Sequence, residues 1–384
     1  VRVAVTHPHF TYPGGAGAVA LETGERLAAR GYEVHVITLR HDPRITSAYP
    51  SIRFHDIGGF ISSDIRYWLL LPYIQRRFAY LVGRIRPHIL LAHVFPANYW
   101  PFLHRARRPE IPCVWYCHEP SAFVHDYNVI RGLNVPMRLG ALAANPFLQL
   151  FDRWAVQHCD MIVTNSRYTA SRITRIYGRT AIVANPGVDI SPFAPAVPKE
   201  RIVLTVARLT RFKQVDLFLH AASVLQGRGY TGVRWIVIGD GEDGERLKQL
   251  AAGLGVAAIV EFTGQLERSQ LIAHYNRALV VAVTAPKEPF GIVPLEAMAA
   301  GAAVVCSDTG GPAETVLHGV TGFHFHAGDA GDLANHIGHL LDHPDSARTM
   351  GDAGRERVRR SFSWEGTTDG LEHALGSLVP GAGG

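Results

Sequence analysis

The stretch Asn185-Pro-Gly-Val-Asp-Ile-Ser-Pro-Phe-Ala-Pro-Ala-Val-Pro198 carries four prolines in fourteen residues. Proline lacks a backbone donor and fixes φ, so neither a helix nor a central strand runs through such a segment. The stretch predicts a linker, and a strand–helix alternation runs on either side of it. Before it, residues 1–5 are short and apolar, 6–17 are rich in turn formers, and 18–30 have helical spacing with Val19, Thr23 and Leu27 in line. Gly31 ends that helix and 33–38 is the next strand. A βαβ unit of this kind implies a parallel sheet. Further strands are read at 88–92, 113–117, 161–165 and 181–184. After the linker they recur at 202–206, 233–238, 259–262, 280–284, 303–306 and 322–325.

The fold class predicted is α/β, with two doubly wound Rossmann-like domains. A chain of 384 residues suits two domains of roughly 150–200 residues each. The expected boundaries are 1–193 and 194–361. A final segment, 362–384, holds Phe362 and Trp364, then a helical pattern and a frayed end.

Charge is divided unevenly. Residues 1–193 hold 21 Arg against 12 Asp and Glu, whereas 194–384 hold 17 Lys and Arg against 21 Asp and Glu. A basic first half calls for an anionic partner, such as a phosphorylated acceptor or an acidic membrane surface. Segment 65–86 mixes Trp68, Ile74, Phe78 and Leu81 with Arg66, Arg76, Arg77, Arg84 and Arg86. It reads either as a basic amphipathic helix lying on an anionic membrane or as a helix packed on the sheet with its arginines in water. Pro72 is expected to interrupt it. The basic residues are not interleaved with a stacking platform, which argues against nucleic acid. The longest run without a charged residue, 87–104, contains three His and three Pro and cannot span a bilayer as a helix. With no signal peptide read at the first strand and four scattered cysteines, the expected location is a reducing cytoplasm, with peripheral contact to the inner face of the membrane. The spacing of Cys113, Cys117 and His118 matches no zinc pattern.

Glu288-Pro-Phe-Gly-Ile-Val-Pro-Leu-Glu296 carries the strongest chemical signal. Eight helical residues span ~12 Å, too far for a glycosidase carboxylate pair at ~5–9.5 Å. The spacing suits an extended ligand instead. The helix start around Phe290, Gly291 and Ile292 offers unpaired N–H groups to a diphosphate. Glu288 and Glu296 then stand at its two ends as acceptors for diols. Arg208 and Lys213 follow the first strand of the second domain, where ligands bind in such sheets, and two cations there can neutralise a leaving diphosphate. Lysine is scarce, with only four in the chain. Gly15 and Gly17, in Gly14-Gly-Ala-Gly17, permit close approach of backbone to phosphate. His118, just past a strand, can donate to a sugar or carry a proton. No Asp-x-Asp pair occurs, so no metal clamp is expected.

One alternative is written into the chain. Gly239-Asp-Gly-Glu-Asp-Gly244 matches the dinucleotide fingerprint, with Glu261 about 20 residues on. It would make the protein an NAD-dependent dehydrogenase, although four acidic residues crowd the loop. A sugar-nucleotide epimerase, a phosphorylase and a two-lobed ligand-binding protein are the other rivals.

Taken together, the Gly15–Gly17 turn, His118, Asn165-Ser-Arg-Tyr-Thr169, Asn185-Pro-Gly-Val-Asp189, Arg208 with Lys213, Gly239-Asp-Gly-Glu242, the Glu288 to Glu296 segment and Phe362-Ser-Trp364 resemble the family 4 retaining glycosyltransferases of the GT-B fold. The resemblance implies two domains facing each other across a cleft, the first taking the acceptor and the second the nucleotide-sugar donor. It implies a final helix packed back on the first domain. It implies transfer of a hexose with retention and no resident cofactor or metal. Glu288 would hold the donor sugar, Glu296 the ribose, and Arg208 and Lys213 the diphosphate. Gly15 and Gly17 would close over the diphosphate, with His118 beside the reacting carbon. Gln214 stands where many relatives have Gly, a departure expected to matter little. The run Cys117-His-Glu-Pro120 is similar to that of mannosyltransferases acting on lipid-linked oligosaccharides. That makes GDP-mannose the first donor to consider and a UDP-sugar the second, with a lipid-linked or phosphorylated glycan as acceptor.

Overall fold

The computed structural model describes residues 1–11, 14–59, 65–126, 135–194 and 197–379. Pro195 and Ala196 of the linker, and 380–384 of the tail, lie outside the described residues. The chain divides into two units, Val1–Gly187 with Trp364–Gly384, and Val188–Ser363.

Seven parallel strands build the first unit: β1 (Arg2–Thr6), β2 (Glu33–Thr38), β3 (Arg53–Asp56), β4 (Ile89–Ala92), β5 (Cys113–Cys117), β6 (Met161–Thr164) and β7 (Ile182–Val183). Their order is β3-β2-β1-β4-β5-β6-β7. The strand β3 has no counterpart in the sequence reading. It is polar and only partly buried at the sheet edge, so its apolar pattern is weak. Strands such as Cys-Val-Trp-Tyr-Cys are buried at every position, as a sheet covered on both faces requires. One face packs Ile74, Phe78, Trp100, Trp115 and Tyr177. The other packs Val19, Leu27, Val36 and Leu371.

The longer helices are α1 (Gly15–Ala29), α2 (Ile65–Ile85), α3 (Tyr99–Arg105), α4 (Val135–Gln157) and α5 (Arg167–Tyr177). Local signals set their ends. Ser166 accepts from the Thr169 N–H at the start of α5, and Gly178, left-handed at φ 66°, closes it. The helix α2 runs straight through Pro72, contrary to the expected break. Proline in a helix costs about 3 kcal/mol. Burial of Tyr67, Ile74, Phe78, Val82 and Ile85 on the inner side of this helix is worth about 1.5–3 kcal/mol per side chain, and it wins.

The second unit repeats the plan with β8 (Glu200–Val206), β9 (Arg234–Ile238), β10 (Val260–Gly264), β11 (Ala278–Val283), β12 (Ala303–Ser307) and β13 (Gly322–Phe325), ordered β10-β9-β8-β11-β12-β13. Its longer helices are α6 (Val215–Gly227), α7 (Gly244–Gly253), α8 (Arg268–Arg277), α9 (Ile292–Ala299), α10 (Ala330–Asp342) and α11 (Pro344–Ser361). The unit begins at Val188, before the expected 194. Val188 and Phe193 already belong to its core, and the Val188 N–H donates to the Phe362 carbonyl at 2.9 Å. After Ser363 the chain returns to the first unit as α12 (Trp364–Gly376). Trp364, Leu371 and Leu375 join the core there. On the surface Arg30 meets Asp369 at 2.8 Å and Glu372 at 2.6 Å.

In both sheets the strand order reverses direction beside the first strand, between β1 and β4 and between β8 and β11. Ligands of doubly wound sheets bind at this switch point, beyond the C-terminal strand ends. Among the described residues no helix is long and apolar enough to cross a membrane.

Candidate active site

Three histidines occupy the switch point of the first unit. β1 and β4 run in register, with Thr6 beside Ala92, and β5 lies next to β4. The residues that follow these three strands are His7, His93 and His118. Each is buried. The His7 Nδ1–H donates to the His9 carbonyl at 2.9 Å, because a carbonyl only accepts, so in the neutral ring Nε2 is left as the acceptor. His93 Nδ1 and His118 Nε2 share a hydrogen bond of 3.0 Å, and the Asn165 side-chain amide donates to the His118 carbonyl at 2.8 Å. Burial pushes His7 and His118 down to about 3, with neighbouring histidines adding to the effect at His7. The cluster is therefore neutral at physiological pH. The His118 Nδ1 is free of that shared bond and available to a hydroxyl in either tautomer.

Gly17 lies in the first turn of α1, with the His7 and Phe10 rings 3.7 Å from the position a Cβ would take. Gly14 caps α1 and has no side chain to satisfy the first-turn donors, Gly15 among them. The rest of the Cys117–Pro120 run is accounted for by structure. Cys113 and Cys117 are buried in β5, where desolvation holds both thiols well above their usual range. Glu119 is engaged by Arg172 at 2.8 Å.

In the second unit, Lys213 and Glu288 meet across the switch point. Lys213 ends a single 3₁₀ turn, Arg211–Lys213, in the loop after β8. Its carbonyl accepts from the Thr284 hydroxyl, just past β11, at 2.7 Å. Glu288 lies in the loop after β11, and its carboxylate forms an ion pair with the Lys213 ammonium. Arg208, in the same loop as Lys213, is exposed, and no side-chain partner is assigned to it among the described residues.

The backbone of 288–290 is fixed by Gly310 and Gly311. The Gly311 N–H donates to the Glu288 carbonyl at 2.7 Å. A Cβ at Gly311 would stand 2.3 Å from the Phe290 Cα, and one at Gly310 would stand 2.8 Å from the Glu288 carbonyl oxygen. Phe290 is buried, and Gly291, at φ 88°, caps α9 with no side-chain acceptor for its first N–H groups. The helix begins at Ile292, so the uncapped donors of Ile292 and Val293 are at its positive end. Glu296, one turn on, is largely buried and paired with Arg268 of α8.

The dinucleotide reading of 239–244 fails on geometry. A Cβ at Gly239 would stand 1.9 Å from the Ala207 carbonyl oxygen, and one at Gly241 would stand 2.3 Å from that of Leu209. Two backbone bonds, Leu209 N–H to Asp240 O at 2.9 Å and Asp243 N–H to Leu209 O at 3.0 Å, sew the loops together. These glycines are required by chain packing against the Arg208 loop. The negative charge of the loop is also balanced in part, since Arg246 holds Asp243 at 2.6 Å and keeps its carboxyl low. Glu261 sits near the start of β10, exposed and paired with Arg234 at 3.2 Å, at the wrong end of the strand to meet a ribose.

Sequence reasoning missed His7, His93, Arg268 and the Gly310–Gly311 contact. The histidines had a usable signal, because each directly follows a strand at its C-terminal end. Arg268 and the glycine pair had none, since both act through contacts remote in sequence.

Known proteins match along almost the whole chain. The description "Glycosyl transferases group 1" fits residues 189–357 and "Glycosyltransferase Family 4" fits 13–192. The D-inositol 3-phosphate glycosyltransferase of Mycolicibacterium smegmatis is 28% identical, over 93% of this chain and 85% of its own. That of Nocardia farcinica is 27% identical, over 93% and 83%. Among solved structures, sucrose-phosphate synthase from Thermosynechococcus elongatus superposes with a TM-score of 0.79 at 23% identity, over 98% of each chain. HepE from Anabaena, solved with UDP-glucose, gives 0.76 at 20% identity, over 98% and 99%. With two sheets of matching order and both family descriptions satisfied in tandem, the chain belongs to the family 4 glycosyltransferases of the GT-B fold.

Proposed function

We propose that this glycosyltransferase moves a hexose from a nucleotide diphosphate sugar to an anionic acceptor, with retention and without a metal. The observation that carries this is the meeting of Lys213, Glu288 and the uncapped start of α9 at the switch point of the second unit. Cationic and N–H groups there suit a diphosphate, and a carboxylate on each side suits hydroxyls.

In this reading the second unit takes the donor. Arg208, Lys213 and the first-turn N–H groups of Ile292 and its neighbours hold the diphosphate. Phe290 and Gly291 set that turn. Glu288 orients the sugar hydroxyls, and Glu296 takes the ribose diol in place of its bond to Arg268. The first unit takes the acceptor, with His118 donating to the sugar and Gly15 and Gly17 offering backbone donors at the start of α1. The bond from the anomeric carbon to the phosphate oxygen breaks, and the acceptor oxygen bonds to that carbon on the same face. The acceptor proton passes to the departing phosphate. Glu288 and Glu296 are paired with bases rather than poised as nucleophiles, which supports this route over a covalent intermediate. Neutralisation of the leaving group by Arg208, Lys213 and helix N–H groups supports the metal-independent form.

The mannose expectation rested on the Cys117–Pro120 run, whose Cys117 and Glu119 are taken up by packing and by Arg172. HepE was solved with UDP-glucose. We therefore rank a UDP-hexose first and GDP-mannose second. The acceptor class follows from the arginine excess of the first unit: a phosphorylated or lipid-linked glycan. The test is to supply UDP- and GDP-hexoses with phosphorylated sugars, phosphorylated polyols and lipid-linked glycans as acceptors and read the anomeric configuration of the product by NMR. Retention with nucleoside diphosphate release supports the proposal. An inverted product, or none with any donor, defeats it.

A further inference from the structure

The outer face of α4 is apolar along most of its length. Leu139, Ala143, Phe147, Leu150 and Trp154 recur at spacings of three and four and are exposed, Phe147 at 76% and Leu150 at 69%. They form one stripe about 22 Å long at 1.5 Å per residue. Such a face on a soluble protein marks a surface that something covers. On α2, Leu69, Tyr73 and Tyr80 are exposed as well, among Arg76, Arg77 and Arg84. The two helices adjoin. The Trp68 ring of α2 lies 6.3 Å from the Phe151 ring of α4, and both approach Tyr99 of α3.

The charge on these helices has one sign. α2 and α4 together contain six arginines and a single acid, Asp152. Asp152 is buried and bonded to His125, Tyr99 and Tyr177, so it offers nothing to an outside partner. The side chains of Ile65 and Arg66 lie outside the described residues.

We propose that the outer faces of α4 and α2 dock this enzyme on an anionic lipid bilayer. The α4 stripe enters the headgroup–acyl boundary, Trp154, Tyr73 and Tyr80 sit at the interface, and Arg76, Arg77, Arg84 and Arg153 meet lipid phosphates. The segment 65–86 is thus only part of the surface. Its Ile74, Phe78 and Leu81 are core residues, and the larger apolar contribution comes from α4. A second copy of the chain is the weaker occupant, because pairing these faces would set arginine against arginine with no carboxylate on either side. The proposal is independent of the donor chemistry, and its failure would leave that chemistry standing.

The test uses the full chain with phosphatidylcholine vesicles, alone or containing phosphatidylglycerol. Sedimentation with the anionic vesicles only, weakened by salt, is the expected result. Phe147→Glu with Leu150→Glu should abolish it. Arg76→Glu with Arg77→Glu should weaken it about 30-fold or more, given roughly fivefold per basic residue near an anionic surface. All four positions are exposed, so the thermal transition and the binding of soluble nucleotide should match wild type. No sedimentation, equal sedimentation with neutral vesicles, or indifference to both double variants would overturn the proposal. So would a dimer in sedimentation equilibrium that Phe147→Glu disperses, which would assign the face to a second copy.

Discussion

Lys213 and Glu288 are 75 residues apart in sequence and form an ion pair where the strand order of the second unit reverses. Both side chains are about a quarter exposed, so the pair contributes little to stability. In the proposed reading its value is chemical, because it holds a cation and a carboxylate together at the mouth of the sheet.

Lys213→Ala and Glu288→Gln should therefore leave the thermal midpoint nearly unchanged and lower turnover by ~10²–10³-fold, the range for removing one preorganised electrostatic contact. Steady-state kinetics with thermal denaturation on the same samples checks this. Near-normal turnover in both variants would contradict the site.

Gly311→Ala should disturb the donor site as well, through the backbone. Its Cβ would collide with the Phe290 Cα, so the 288–291 loop must shift. Donor affinity should fall at least tenfold, since a displacement of ~1 Å at a site is costly. Both Gly311→Ala and Gly241→Ala should destabilise the second unit, by about 3 kcal/mol or more, because each clash is with backbone, the Gly241 one with the Leu209 carbonyl in a sewn loop. Chemical denaturation checks the stability loss in both variants, and calorimetric titration with the nucleotide checks the affinity loss in Gly311→Ala.

The histidine cluster predicts an acid response. His7 and His118 are held near 3 by burial, against ~6.5 in an unfolded chain. Between those values the unfolded chain binds more protons than the folded one. The stability these residues contribute is complete above pH 6.5 and is lost as pH falls toward 3. The midpoint of the first unit should fall from pH 7 to pH 4, and His7→Gln should show a shallower fall. Identical slopes would contradict the assignment.

Gln214 stands in the left-handed region at φ 49°, ψ 42°, and its side-chain oxygen is buried without a partner. The left-handed conformation costs a residue with a Cβ about 1–2 kcal/mol, offset in part by the greater freedom of glycine when unfolded. Gln214→Gly should raise stability by up to about 1 kcal/mol. A loss of that size, measured by urea denaturation, would count against the strain argument.

The two-unit plan was legible in the chain because buried parallel strands such as 278–283 and 303–307 are continuous apolar runs, and a proline-rich segment separates the two series. Lys213, Glu288 and Glu296 stand out as local motifs, and the structure brings Lys213 and Glu288 together. The partner of Glu296, Arg268, was not, because it comes from another helix. The role of Gly239 and Gly241 was misleading in sequence: a phosphate loop and a loop packed on a carbonyl both need glycine, and only the 1.9 Å and 2.3 Å approaches distinguish them. The exposure of α4 was hidden for a related reason. Apolar residues at helical spacing predict a buried face, and only the packing of α2, α3 and α5 shows which face is covered.

The central claim is that a nucleoside diphosphate binds the second unit at Arg208, Lys213 and the start of α9. Calorimetric titration of the wild type and of Arg208→Ala with Lys213→Ala, using UDP and GDP, tests it most directly. The wild type should bind saturably, and the double variant at least a hundredfold more weakly, at ~1.5–3 kcal/mol for each charge-assisted contact removed. Equal affinity in the two proteins, or no binding of either nucleotide, would contradict it.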